Sequence, residues 1–204
     1  MSLLSTIKAN PSLKKLAHFL LIPKNDFRPR LWVRWFVNPF KHVKGSGSKI
    51  RWRTRLDLFP YNNFILGGKS IIEDFSVVNN GVGDVVIGNN TIIGLSNVII
   101  GPVSIGDNVM LAQHVVVSGL NHGYKDITVP PALQKVECSP ICISDDVWIG
   151  ANAVITAGVS IGKHCIVGAG SVVTKSIPDH CIVVGNPAKI IKRYNFTTQQ
   201  WERV

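Results

Sequence analysis

The chain has 204 residues, room for one substantial domain and a small appendage, and 46% of them are hydrophobic. The net charge of +10 is unevenly placed: residues 1–60 carry thirteen Lys and Arg against Asp26 and Asp57, an excess of eleven, whereas residues 61–204 carry nine against ten acids, a balance of minus one. This argues against a nucleic-acid enzyme and for a local basic surface. Four scattered cysteines, the lack of a secretory signal and the lack of a membrane-spanning run point to a reduced, cytoplasmic setting.

In chain order, Asn10-Pro11 reads as a helix start, with Asn as N-cap and Pro at the first helical position. Leu13, Leu16, Ala17, Leu20 and Leu21 then share one face, Lys14, Lys15 and His18 lie off it, and Pro23 ends the element. From Phe27 to Phe40 the chain is dense in Trp, Phe and Arg. Gly45-Ser46-Gly47-Ser48 reads as a flexible joint. Arg51, Arg53 and Arg55 alternate with Trp52, Thr54 and Leu56, which predicts a strand with one basic face.

A six-residue beat dominates the rest of the chain. It is imperfect from Phe64 to Val86, then regular: Ile87, Ile93, Ile99, Ile105, Leu111 and Val117, and after an interruption Ile143, Ile149, Ile155, Ile161, Val167 and Val173. The residue after the beat is often glycine (Gly88, Gly94, Gly106, Gly150, Gly162, Gly168), and Asn and Asp are frequent in the turns. A period of six suits a solenoid of short strands joined by tight turns. Three beats close a triangular coil of eighteen residues, which stacks Ile87 on Ile105, Ile93 on Leu111 and Ile99 on Val117. The N-terminal third then has two compatible roles. It can cap the open end of the solenoid, or present a basic, aromatic surface to an anionic membrane or a lipid-linked glycan.

The pattern resembles the hexapeptide-repeat acyltransferases over about Ile65 to Tyr194. The resemblance is most specific in the run WIGANAVITAGVSIGKHCIVGAGSVVTKSIP (Trp148 to Pro178), in GNPAK (Gly185 to Lys189) and at Asn121-His122. It points to the sugar O-acetyltransferase branch, of the galactoside and maltose acetyltransferase kind, with flanks more like those of exopolysaccharide and capsule acetyltransferases. It implies a mainly β chain: a left-handed parallel β-helix over 63–188 with an extruded loop at 118–140, a partly helical N-terminal region at 1–62 and a tail at 189–204.

Between Val117 and Ile143 lie Gly119, Gly123, Pro130, Pro131 and Pro140, which is loop chemistry on a rigid scaffold. The resemblance assigns the general base to His122, with Asn121 beside it for substrate. A neutral imidazole suits removal of a hydroxyl proton near pH 7. The same resemblance puts Trp148, Ala151, Ala169, Thr174 and Lys175 along the coenzyme groove. Lys189 and Lys192 stand near the adenosine phosphates, where the family commonly has Arg. Ile92 and Ile100 stand where the family has polar acceptor contacts. His114 lacks the closely spaced partner of a zinc-binding β-helix, and His164 and His180 read as turn residues. No cysteine has a partner for covalent catalysis, and no metal is expected.

The function implied is acetyl-CoA-dependent O-acetylation of a sugar hydroxyl, in a cell-surface glycan precursor, by a cytoplasmic homotrimer with contact at the inner membrane face and no nucleic-acid partner. A longer acyl donor such as succinyl-CoA is also open. The rival enzyme reading is a xenobiotic or antibiotic O-acetyltransferase. A rival of another class is a non-catalytic β-helix that binds a partner.

Overall fold

The structure, a computed structural model, describes residues 9–24, 26 and 28–204; Phe27, where the aromatic stretch begins, lies outside them. The architecture is mainly β, a parallel solenoid of about six turns matching a left-handed β-helix. Three sheets form the faces of a prism. Face A stacks Val43–Lys44, Phe64–Leu66, Val85–Ile87, Val103–Ile105, Ile141–Ile143 and Ser160–Ile161. Face B stacks Lys49–Ile50, Ile71–Ile72, Ile92–Ile93, Met110–Leu111, Trp148–Ile149, Ile166–Val167 and Cys181–Gly185. It is extended antiparallel by Ala188–Asn195 and Gln200–Arg203. Face C stacks Arg55–Asp57, Val77–Asn79, Val98–Ile100, Val116–Ser118, Val154–Ile155 and Val172–Val173.

The stacking register is the one the beat predicts: Ile87 lies on Ile105, Ile93 on Leu111 and Ile99 on Val117. The loop does not disturb it, because Ile143 returns to Ile105, Ile149 to Leu111 and Ile155 to Val117. Every beat residue points inward and is buried. The glycine after the beat is needed for stacking rather than for the bend itself. A Cβ on Gly88 would stand 2.5 Å from the carbonyl carbon of Gly106 in the next coil. The left-handed backbone falls two residues later, at Asn90, Asn108 and Asp146 (φ between 51° and 59°), residue types that tolerate it.

The imperfect beat of the early coils has two causes. First, the corner between faces C and A is longer there, so equivalent residues are 22 and then 21 apart rather than 18. Second, inward corner positions filled later by Val or Ala hold Ser70, Ser76, Thr91 and Asn97, all fully buried. Each is satisfied by the turns around it. Asn97 donates to Gly94 O and Ala112 O, both at 2.9 Å, and accepts from Val115 N.

The N-terminal helix α1 (Pro11–Leu21) starts as the sequence indicates. The Asn10 side chain accepts from the amides of Ser12 and Leu13 at 3.0 and 3.2 Å. No residue of α1 is buried, and Leu13, Leu16 and Leu20 remain exposed. The end of the stack is instead covered by a π-helical turn, Val33–Val37, and a short helix, Asn38–Lys41. Val33 is buried, Asn38 Nδ2 donates to Leu58 O at 2.9 Å and Lys41 reaches Asn63 at 3.0 Å.

Three expectations for this region are corrected. Gly45 to Ser48 is no flexible joint but a corner of the first coil: Gly45 N donates to Leu66 O at 2.7 Å and Lys69 N to Ser46 O at 2.9 Å. Arg51 to Leu56 is not one strand, because a corner at Trp52-Arg53 separates Lys49–Ile50 from Arg55–Asp57. Its arginines diverge: Arg55 pairs with buried Asp57 at 2.8 Å, Arg51 with Glu73 at 3.4 Å, and Arg53 lies 5.4 Å over the Phe75 ring. The stacked sheets therefore begin at Val43, ahead of the boundary drawn at 63, and the one drawn at 189 cuts the strand Ala188–Asn195.

Two stability predictions rest on these contacts. Asn97→Ala strands one turn amide and two carbonyls inside the prism and is expected to lower stability by roughly 2–4 kcal/mol in urea unfolding. His42 has both ring nitrogens buried without a hydrogen-bond partner among the described residues, and burial, then the Lys41 charge, lowers its pKa to about 4. The unfolded chain takes up that proton more readily, so this contribution is complete above about pH 6.5 and lost as pH falls toward about 4. A His42→Gln variant should flatten that part of the Tm-versus-pH curve relative to wild type.

Candidate active site

The loop leaves face C after Ser118 and rejoins face A at Ile141. Its base is tied to the stack: Gly119 N donates to Ile100 O and Ser139 N to Gly119 O, both at 2.9 Å. Leu120–Asn121 and Glu137–Cys138 form an antiparallel pair that carries the arm outward. The arm is braced from within. Gln134 donates to Asp126 O and Val129 O at 2.8 and 2.7 Å, and Lys125 pairs with Glu137 at 3.0 Å. Tyr124, Ile127 and Leu133 are exposed along it.

His122 sits where the arm leaves its strand pair, exposed, with Asn121 facing Glu137 across the pair. Its ring makes no hydrogen bond to the described residues, so both nitrogens are open to a ligand. Thr174 and Lys175 occupy the same corner of the prism further along the axis. The corner is continuous between them: Gly158 N donates to Ser139 O at 3.2 Å, and Thr156 Oγ1 to Val173 O at 3.0 Å. Both Thr174 and Lys175 are exposed.

The remaining candidates gather on face B. Trp148 points outward, 48% exposed, in a column set by strand register: Ile92, Met110, Trp148, Ile166, Ile182, Lys192. A shallow hollow of about 390 Å³ lies against it, lined by Ile92, Met110, Leu95, Gln113 and Glu73. Ala151 and Ala169 stack in the corner between faces B and C, where Gly170 N donates to Ala151 O at 2.8 Å. Backbone stacking is close at this corner: a Cβ on the neighbouring Gly150 would come 2.6 Å from Ala169 N.

Lys189 and Lys192 are three apart on one strand, which would ordinarily send them to opposite faces. A bulge prevents this. The register shifts between Ile182 and Val183, so Lys189 pairs with outward Val184 and Lys192 with outward Ile182. Both lysines therefore share the outer side of face B with Trp148. Trp148 and Lys192 are three strand spacings apart, about 14 Å. Arg193 instead pairs with inward-facing Cys181.

One chain thus separates the candidates into two groups. His122, Asn121, Thr174 and Lys175 lie at the corner between faces C and A. Trp148, Ala151, Ala169, Lys189 and Lys192 lie on face B and its corner with face C. Face C stands between them, a side of six residues and at most about 20 Å across. Apart from Ile92, the sequence reading missed the rest of the face B column, although the signal was present. The residue before the beat is apolar on face B (Ile92, Met110, Trp148, Ile166) but includes Ser104, Cys142 and Ser160 on face A.

Three of the other histidines sit at corners. His114, His164 and His180 take left-handed φ of 58°, 55° and 55°. His180 packs edge-on against Phe196 of the C-terminal hairpin, where Trp201 and Tyr194 also meet edge to face. Cys165 is buried, and burial pushes its thiol up to about 11.

A filled prism of six-residue sides with a loop extruded at one corner defines the class, a hexapeptide-repeat β-helix. Residues 143–175 match the family described as bacterial transferase hexapeptide (six repeats), and residues 84–118 match the hexapeptide repeat of succinyl-transferase. The chain is 38% identical over 108 residues to the putative lipopolysaccharide biosynthesis O-acetyl transferase WbbJ of Escherichia coli, an alignment spanning 50% of this chain and 55% of that protein. A maltose O-acetyltransferase from Clostridium difficile superposes with a TM-score of 0.54 at 27% identity, covering 95% of this chain and 89% of that one. The N-acyltransferase AntD from Bacillus cereus, in complex with dTDP and 3-hydroxybutyryl-CoA, superposes with a TM-score of 0.66 at 23% identity, over 79% of this chain and 88% of that one; this is a likeness of fold. The chain spans about half the length of the curated relatives it matches. Hexapeptide-repeat transferase models thus match two stretches of this chain, and the O-acetyltransferases among these relatives are similar to it over about half of its length.

Proposed function

We propose that the protein is an acetyl-CoA-dependent O-acetyltransferase that modifies a hydroxyl of a sugar in a surface polysaccharide precursor. The observation that carries this reading is the two-group arrangement of candidates on a hexapeptide prism, with an open imidazole in one group and an aromatic-to-lysine column in the other. The O-acetyltransferase names of the relatives support the reaction class, and the lipopolysaccharide role in the name of WbbJ supports the acceptor class.

In this reading the site is shared between copies in a homotrimer. The loop corner of one copy faces face B of its neighbour, so His122 of the first reaches the groove beside Trp148 of the second. The apolar column on face B and the exposed side chains of the arm are the surfaces such contacts would cover. The pantetheine arm lies along the column, close to backbone where Ala151 and Ala169 leave room, with Thr174 and Lys175 lining the other wall. Lys189 and Lys192 meet the nucleotide phosphates. Lysine serves there as a point charge without the fork of arginine.

His122 accepts the proton of the acceptor hydroxyl as that oxygen attacks the thioester carbonyl. A backbone amide at the corner steadies the oxygen that becomes negative. The carbon–sulfur bond then breaks, and the imidazolium returns its proton to the leaving sulfur. The products are an O-acetyl ester and a free thiol, with no acyl-enzyme.

His122→Ala is expected to lower kcat by roughly 10²–10⁴ with little change in the KM for acetyl-CoA, read by thiol release. Wild-type turnover in that variant would remove the assignment. Lys189→Ala with Lys192→Ala should raise that KM about tenfold, a difference of ~1.4 kcal/mol, and leave kcat nearly intact. Calorimetry showing no acetyl-CoA binding at high micromolar concentration would leave a non-catalytic binding β-helix as the reading.

A further inference from the structure

The N-terminal end of the prism carries large exposed rings that the proposed reaction does not use. Phe40 is 90% exposed and Trp52 95%. Trp32, Phe36 and Phe40, all exposed, recur at intervals of four along the helical stretch that covers the end of the stack. Trp52 tops the first corner between faces B and C, in the coil whose strands form the edge of all three sheets. Ahead of them, α1 leaves Leu13, Leu16 and Leu20 exposed as a stripe.

Cations are interleaved with these apolar groups. Lys14 and Lys15 lie beside the α1 stripe, Arg34 and Lys41 within the ring-bearing helices, and Arg51 and Arg53 flank Trp52. Residues 1–60 hold an excess of eleven positive charges over a body that is otherwise near neutral. Buried packing does not account for this composition, because the capping is done by Val33 and the polar contacts of Asn38 and Lys41.

We propose that this end of the molecule is a docking surface for an anionic phospholipid bilayer. Rings with basic neighbours suit the headgroup zone, where the aromatic body is drawn into the boundary of the acyl chains and the cations meet lipid phosphates. A second copy of the chain is the less suitable occupant. Each copy would bring the same positive excess to the contact, and like charges repel. The contact is peripheral: no helix among the described residues is long and apolar enough to cross a membrane. Docked in this way, the protein presents the sides of its prism, and with them the loop corner, to acceptors held at the lipid surface.

The test is co-sedimentation of the full chain at about 0.15 M salt, where the screening length is near 8 Å. Vesicles of phosphatidylglycerol and phosphatidylcholine are compared with vesicles of phosphatidylcholine alone. The expected result is at least tenfold tighter binding to the mixed vesicles. A Phe40→Ser, Trp52→Ser variant, unchanged in charge and altered only at exposed positions, should lose at least tenfold of that binding while keeping its Tm and oligomeric state. Absence of binding to the mixed vesicles, or equal binding by wild type and the ring variant, overturns the proposal. So does dissociation of the oligomer in the ring variant, which would assign this surface to contacts between copies. Acetyl transfer to a soluble acceptor is a separate readout, so the docking idea and the reaction can fail independently.

Discussion

Columns of branched aliphatic side chains, stacked in register along the axis of the prism, hold every other part of the chain in place. On face A the column is Leu66, Ile87, Ile105, Ile143 and Ile161; on face B it is Ile72, Ile93, Leu111, Ile149 and Val167; on face C it is Val78, Ile99, Val117, Ile155 and Val173. None of these is more than 2% exposed. Burying such a side chain is worth roughly 1.5–3 kcal/mol, and strands alternate inward and outward with period two. An added residue within a side would turn the rest of that strand inside out. Changes in length are therefore confined to corners, and in this chain they fall at one corner, between faces C and A.

That corner is lengthened in three of the coils. After Asp57 it holds the stacked rings of Phe59 and Tyr61, with centroids 5.4 Å apart. In the next coil buried Asn80 clamps it, donating to Phe59 O and Asn62 O at 3.1 and 3.0 Å. Two coils further on, the same corner opens into the arm that bears His122. Loop closure grows slowly with length, so a long excursion costs little if it starts and ends on fixed backbone. Gly119 and Ser139 supply those fixed points, which is why Ile143 returns to Ile105 as though nothing intervened.

These constraints decide how much of the fold was legible in the sequence. Twelve beat residues announced their own stacking partners, because an aliphatic position every six residues has one economical arrangement in three dimensions. The first coil was not legible. Its outward positions are Lys49 and Arg55, its corners run through Gly45-Ser46-Gly47 and Trp52-Arg53, and its spacing is 22. Ser70, Thr91 and Asn97 hid the next coils in the same way, since a polar residue reads as exposed until its turn partners are known. At the other end the tail read as an appendage because a return strand has no beat; register, and the bulge at Ile182/Val183, emerge only from pairing. For the site, the loop histidine and the small corner residues were legible one by one. Their distribution over two edges of the prism was not, since spacing along the chain does not reveal which corner a residue occupies.

A prism filled with Ile, Leu and Val has no interior left for a substrate, and its flat sides offer hollows rather than clefts. Chemistry on such a body has to be assembled from outside it, between an edge that carries a reactive group and a side that can hold an extended ligand. Here the arm projects from the edge between faces C and A, and the apolar column beside the paired lysines runs along face B. In three copies around an axis, each such edge can meet the next copy's side, which would turn the separation imposed by face C within one chain into proximity between chains. The stiffness that keeps the two groups of residues apart within each chain would also give the proposed shared groove its precision: both walls are ruled at the same strand spacing.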